Sequence, residues 1–235
     1  MIIDFKFAYF VLVIPFIIVW IIFFVLSRKT RIEQLIMSFL FLGVGVISEN
    51  LFYFHDYWSP ESILSFNIGS WRILLEDILF SFTIAGIGSI IYEMVFNKRL
   101  ESIKKINFVF KLLSIIVIGL SSFYLLFFIG INSILATSIG FIILSLFIMV
   151  QRKDLLTCSL FSGLGILVIN FCAYIVVYLL IRNSEELIRR GWMLYETSFG
   201  IRILGIPVTE MIWGFTAGAF IGPLYKFIFS KKLSK

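Results

Sequence analysis

Apolar residues fall into seven blocks separated by short polar connections, at roughly 7–26, 35–54, 73–96, 108–129, 131–150, 157–181 and 203–229. About 20 helical residues cross a hydrocarbon core ~30 Å thick, and every block meets that length. The pattern predicts an all-α integral membrane protein. It is a seven-transmembrane-helix bundle forming a single transmembrane domain over residues 1–235, with no soluble domain or long linker left over. Composition agrees: 60% of the 235 residues are hydrophobic, 14% are charged, and 28 are phenylalanine. The mean hydropathy is +1.06. A soluble domain of this size cannot hide so much apolar surface, so lipid is the expected solvent.

A net charge of +6 would suggest nucleic acid in a soluble protein. Here the basic residues sit in short runs between apolar blocks, as cytoplasmic loops do, and no nucleic-acid partner is expected. Arg28, Lys29 and Arg31 follow the first block, and Lys98, Arg99, Lys104 and Lys105 the third. Arg152 and Lys153 follow the fifth, and Lys231, Lys232 and Lys235 the seventh. The positive-inside rule puts these four connections in the cytoplasm, with the N-terminus outside and the C-terminus inside a cell membrane. The connection before the seventh block is mixed, with Arg182, Arg189, Arg190 and Arg202 beside Glu185, Glu186 and Glu196.

The start of the chain reads as a retained helix and not as a signal peptide. Asp4 and Lys6 cancel, and basic residues follow the first block in place of a small-residue cleavage site. Cys158 and Cys172 share one apolar block and read as small packing residues. No Walker, Rossmann or zinc-type signature is present, and no metal site is expected.

The carboxylates break the apolar pattern. "IPVTEMIWGFTAGAFIGPLY" (206–225) reads as a spanning helix except for Glu210. A charge near a bilayer centre costs at least ~2.5–3.5 kcal/mol, so such residues face a cavity or a partner. "WRILLEDILFSFTIAGIGSIIYE" (71–93) aligns without a gap on "LGIPVTEMIWGFTAGAFIGPLYK" (204–226), at an offset of 133 (204 − 71). Asp77 falls on Glu210, Phe80 on Trp213, Phe82-Thr83 on Phe215-Thr216 and Tyr92 on Tyr225. The third and seventh helices run in the same direction, so this is a parallel internal repeat, with units near 35–96 and 157–229.

Asp77 lies five residues past Arg72 and Glu210 eight past Arg202. At ~1.5 Å per residue both sit roughly 7–12 Å below those arginines. Glu49 and Asn50 reach a similar level at the end of the second helix, and Asn170 is near mid-depth in the sixth. A shared polar pocket in the outer leaflet follows, covered by two long connections, 55–72 and 182–202. Trp58 and Trp71 lie in the first of these, and both connections are equally consistent with an interfacial aromatic belt. The bland alternative for the buried polar groups is helix-to-helix hydrogen bonding at ~0.6–2 kcal/mol each. The small residues of "TIAGIGS" and "TAGAFIG" allow close helix approach. Pro207 belongs to the first turn of the seventh helix. Lys226 reads as a snorkelling lysine, and Glu93 as an interfacial charge within reach of Lys98.

These motifs resemble the membrane-integral lycopene cyclase domain family, whose units carry a Pro-X-Glu-Glu motif on a helix after an aromatic-rich loop. "HDYWSPESIL" (55–64) is similar to that loop, "ILLEDILFSF" (73–82) to the first motif and "GIPVTEMIWGF" (205–215) to the second. The resemblance covers 55–93 and 191–226. Leu74 stands where the first motif has proline, Glu76-Asp77 replaces Glu-Glu, and Thr209 replaces one glutamate of the second.

The resemblance implies an isomerase of the intramolecular-lyase type in carotenoid biosynthesis. A proton adds to the terminal double bond of a linear carotenoid, the cation closes a six-membered ring, and a neighbouring proton leaves. That chemistry needs an acid that keeps its proton in a dry apolar cavity, and no metal or redox cofactor. Glu76, Asp77 and Glu210 are the candidate catalytic acids. Glu49, Asn50, Asn170, Phe80, Phe82, Trp213, Phe215, Trp58 and Trp71 are the candidate substrate-binding residues. Ring faces can stabilise a carbocation, at up to ~2 kcal/mol each when desolvated, though with 18% aromatics these rings equally serve packing. The expected partners are a lipid-soluble carotenoid or other isoprenoid, and membrane lipid. Two alternatives stay open: a non-enzymatic isoprenoid- or lipid-binding protein of the same fold, and a transporter or photoreceptor. Oligomeric state is not legible.

Overall fold

A computed structural model describes residues 3–103 and 107–234. Lys104, Lys105 and Lys235, counted above among the basic loop residues, lie outside the described residues. Seven helices are long and apolar enough to cross a membrane. They are α1 (Ala8–Leu26), α2 (Arg31–Ser48), α3 (Leu75–Phe96), α4 (Phe108–Phe128), α5 (Ser133–Gln151), α6 (Leu156–Leu180) and α7 (Val208–Ile228). Many of their exposed side chains are apolar, among them Leu26, Phe39, Leu125, Phe128 and Leu179.

Helix boundaries depart from the apolar blocks where polar residues are buried or a turn intervenes. α2 begins at Arg31 because Glu33 and Gln34, polar enough to read as loop, are buried in the bundle. It ends in a π-helical turn, Glu49–Tyr53, followed by one further turn, Phe54–Asp56. α3 and α7 start later than the blocks suggest, because a small hairpin precedes each. Among the described residues the short strands are β1 (Ser65–Ile68), β2 (Trp71–Leu74), β3 (Arg99–Ser102), β4 (Arg202–Ile203), β5 (Ile206–Pro207) and β6 (Lys231–Ser234).

β1 pairs with β2 around Gly69 at φ 62, and β4 with β5 around Leu204 and Gly205 at φ 54 and 82. Pro207 is thus extended and immediately precedes α7, so the missing N–H of its ring costs no helical bond. β3 pairs with β6 and ties the C-terminal ends of α3 and α7 together. Asn107 and Asn132 cap α4 and α5 by accepting from backbone N–H groups.

α3 and α7 run in the same direction at the centre of the bundle. α3 packs on α1, α2, α6 and α7, and α7 on α3, α4, α5 and α6. The two central helices meet at positions that are 133 apart. Phe80 stacks on Trp213, Gly88 lies against Ile221, and Glu93 pairs with Lys226. Small residues set the closest approaches. A Cβ at Gly163 would sit 2.8 Å from the Phe215 carbonyl oxygen, and one at Gly218 would sit 2.9 Å from Ile166. One neighbour relation is uneven: α3 lies close on α6, whereas α2 reaches α7 through long side chains, Glu33 to Lys226 and Phe41 to Phe220. The space between them becomes a groove.

Candidate functional site

The extended backbone at Leu74 and at Pro207 starts each central helix, and Asp77 and Glu210 are each its third residue. Free N–H groups and the helix dipole at this end favour carboxylates there. Asp77 is buried and accepts a 2.5 Å hydrogen bond from the Tyr9 hydroxyl of α1. Glu210 is half-buried and accepts a hydrogen bond from the Tyr57 hydroxyl. Neither acid lies on the outer wall. One turn further along, Phe80 and Trp213 stack at 5.7 Å between ring centres, 24° from parallel.

Two spaces meet at this ring pair. A small cavity of about 40 Å³ is lined by Glu210, Glu49, Asn170, Trp58 and a cluster of tyrosines, Tyr9, Tyr53, Tyr57 and Tyr174. Beside it a groove of about 520 Å³ opens between α2, α4, α5 and α7. Glu49, Asp77 and Ser81 head the groove, and Leu224 and Ile228 lie at its far end. Its walls are apolar, with Phe41, Val44, Leu112 and Phe141 among them. From Trp213 to Ile228 the groove follows α7 for ~22 Å at 1.5 Å per residue. Glu49, Tyr53, Phe80 and Trp213 line both spaces.

Both long connections fold over the small cavity. Trp58 bridges to Trp192. Met193 N–H donates to the Tyr57 carbonyl at 2.9 Å, and Ser59 N–H to the Gly191 carbonyl at 2.8 Å. Trp58 is buried with its ring edge-on to Tyr9. Asp56 fastens the first connection to α5 by accepting from Ser133 N–H at 2.8 Å and from its hydroxyl at 2.5 Å. On the outside of this cover, Arg190 and then Arg189 hold the half-buried Glu186 below the usual carboxylate range.

The structure therefore brings together Glu49, Asp77, Glu210, Asn170, Phe80, Trp213 and Trp58. Five other candidates are placed elsewhere. Glu76 is fully buried beneath the first connection, where it accepts from Ile63 N–H at 2.8 Å and from the Ser62 hydroxyl. Asn50 accepts from Arg72 N–H at 2.7 Å and fixes the hairpin. Phe82 packs on Trp20 and Phe39, Phe215 lies against Gly163, and Trp71 sits half-buried in β2. Within the site, Asn170 also donates its amide to the Glu210 backbone carbonyl at 3.1 Å.

The tyrosines were missed by sequence reasoning. Tyr9 is the lone hydroxyl in an apolar helix, which is a usable signal, but its partner is 68 residues away.

At the opposite end of α3 and α7 the sequence expectation fails. Lys226 does not snorkel: it is fully buried and pairs with Glu33 at 2.7 Å and Glu93 at 2.5 Å. It also donates to the Gly222 carbonyl at 2.8 Å and to the Ser89 carbonyl. Glu93 is accordingly no interfacial partner of Lys98. Three helices each bring one charge to the same dry spot, so mutual pairing replaces contact with water.

A family model described as lycopene cyclase matches residues 132–228, from the cap of α5 to the end of α7. No curated protein matches the chain, and no solved structure does. The match contains Glu210, Trp213 and Asn170, while the region of Asp77 and the first motif lies outside it. Over residues 132–228, less than half of its length, the chain is similar to the lycopene cyclase family.

Proposed function

We propose that the protein is an integral membrane carotenoid cyclase that closes the end group of a linear carotenoid by redox-neutral acid catalysis. The family match supports a carotenoid cyclase-like role in general. The observation that carries the finer reading is the placement of Asp77 and Glu49 at the head of a long apolar groove, with Glu210 just across the Phe80–Trp213 pair. A lipid-soluble polyene fits such a groove lengthwise, with its end group at the carboxyls. One carboxyl donates the proton. An ionised neighbour offsets the cation and takes the proton that leaves. Phe80 and Trp213 offer ring faces to the cation. The joined connections keep water from quenching it.

A parallel duplication, with units near 35–96 and 157–229, accounts for the paired placement of the acids. The contacts of α3 with α7 at positions 133 apart, and the hairpin before each helix, support it. Loop charge supports an outside N-terminus and a cytoplasmic C-terminus, which puts the carboxyls toward the outer face.

Expression in lycopene-accumulating cells tests the reading: the pigment should shift from red to orange-yellow as cyclic product forms. Stable protein with no cyclic carotenoid would contradict it. The second reading, a non-enzymatic isoprenoid-binding protein, is favoured by Leu74 and Thr209 at motif positions that the family fills with proline and glutamate. In that case lycopene co-purifies with the protein unchanged.

A further inference from the structure

Among the acids at the head of the groove, Asp77 and Glu210 already receive a hydroxyl each, from Tyr9 and Tyr57. Glu49 differs: its Oε2 is buried and has no hydrogen-bond partner among the described residues. It is also the one carboxyl among them that lines both the small cavity and the groove, which contain Glu210 and Asp77 respectively. It opens the π-helical turn Glu49–Tyr53, a local widening often found where a helix presents a functional side chain. A general acid needs an O–H that no protein acceptor holds and that can reach the substrate. Resting on the cyclase reading above, we propose that Glu49 is the proton donor, with Asp77 and Glu210 as the acceptors that offset the cation.

The step balances without an oxidant or co-reactant. The O–H bond of Glu49 breaks and a C–H bond forms on the terminal double bond, leaving a tertiary cation. The electron pair of the nearby double bond closes the ring and moves the charge to a ring carbon. The adjacent carbon gives its proton to Asp77 or Glu210, and its C–H electrons become the ring double bond. Return of that proton to Glu49 resets the site. Glu76, bonded to Ser62 and Ile63, takes no part in the transfer.

The test compares wild type with Glu49→Gln and Glu49→Asp in lycopene-accumulating cells, with cyclic product measured per folded protein. Glu49→Gln is expected to lower cyclisation ~100-fold or more while lycopene still co-purifies with it. Glu49→Asp, which withdraws the carboxyl by one methylene, is expected to lose ~10-fold or more with binding unchanged. Cyclisation by folded Glu49→Gln at the wild-type rate overturns this inference and leaves the cyclase reading standing. If Glu49→Gln does not fold, an unchanged rate in Glu49→Asp overturns it instead. Absence of cyclic product from wild type removes the cyclase reading and this inference with it.

Discussion

The two central helices carry a polar cluster at each end, built in opposite ways. Where α3 and α7 begin, Asp77 and Glu210 are bonded by neutral hydroxyls and border open space. Where they end, Glu33 and Glu93 close on the Lys226 ammonium with side chains no more than 1% exposed. The first arrangement leaves the carboxyls free to exchange a proton with something that enters. The second saturates its cation with acceptors. Burial of charge is therefore not by itself a sign of function: both ends are buried, and the acids of the first line a cavity and a groove with no cation paired to them among the described residues. The lysine end reads as a lock that fixes α2, α3 and α7 in register, and the acid end as the reactive one.

This contrast can be broken by swapping the expected consequences. The largest effect is expected at Lys226. Lys226→Met strands two buried carboxylates, and removal of one partner of a buried pair costs about 3–5 kcal/mol. Loss of folded protein in a detergent melt checks it, and a stable variant would contradict the lock. At the acid end Glu210→Gln should do the reverse. The shape and the Tyr57 contact persist and the melt is unchanged, while cyclic product falls by ~10²-fold or more. Full activity there would show that Glu210 takes no part in the reaction.

Tyr57→Phe removes the hydroxyl that orients Glu210, and a smaller loss of product, about tenfold, is expected, equivalent to ~1.4 kcal/mol. Trp213→Leu loses the ring contact with Phe80, worth ~0.5–1.5 kcal/mol beyond area. It should weaken the melt modestly. The smallest effect belongs to Glu93→Gln. Two carboxylates face one ammonium, so removing one negative charge still leaves a neutral pair. A cost well below that of Lys226→Met, under ~1.5 kcal/mol, is expected from the same melt. Equal costs would contradict the surplus-charge picture.

Much of this was legible in the chain. Seven helices long and apolar enough to cross a membrane follow from apolar length alone, whatever the packing. Asp77 and Glu210 stand out because a carboxylate in an apolar span is expensive. What hydropathy cannot see is which groups meet across helices. Glu76 and Asp77 are adjacent in sequence, yet one faces a loop and the other the groove, because neighbouring helical residues point about 100° apart. Lys226 and Glu93 look interfacial when each is read along its own helix. Their pairing was nonetheless written in the ungapped alignment, where Glu93 falls on Lys226 as opposite charges at matching positions. The tyrosine contacts depend on tertiary approach over 68 and 153 residues: a lone hydroxyl in an apolar helix marks Tyr9, but no local pattern names the carboxyl that it or Tyr57 meets.

The central claim is that Asp77 and Glu210 serve one reaction centre. The most direct test is a double-mutant cycle of Asp77→Asn and Glu210→Gln, with cyclic carotenoid quantified by mass spectrometry in lycopene-accumulating cells. Residues that act as a unit are strongly non-additive, so the double variant should be about as impaired as the worse single one. Losses that multiply across the two positions would mean that the acids work independently, and the shared site would not stand.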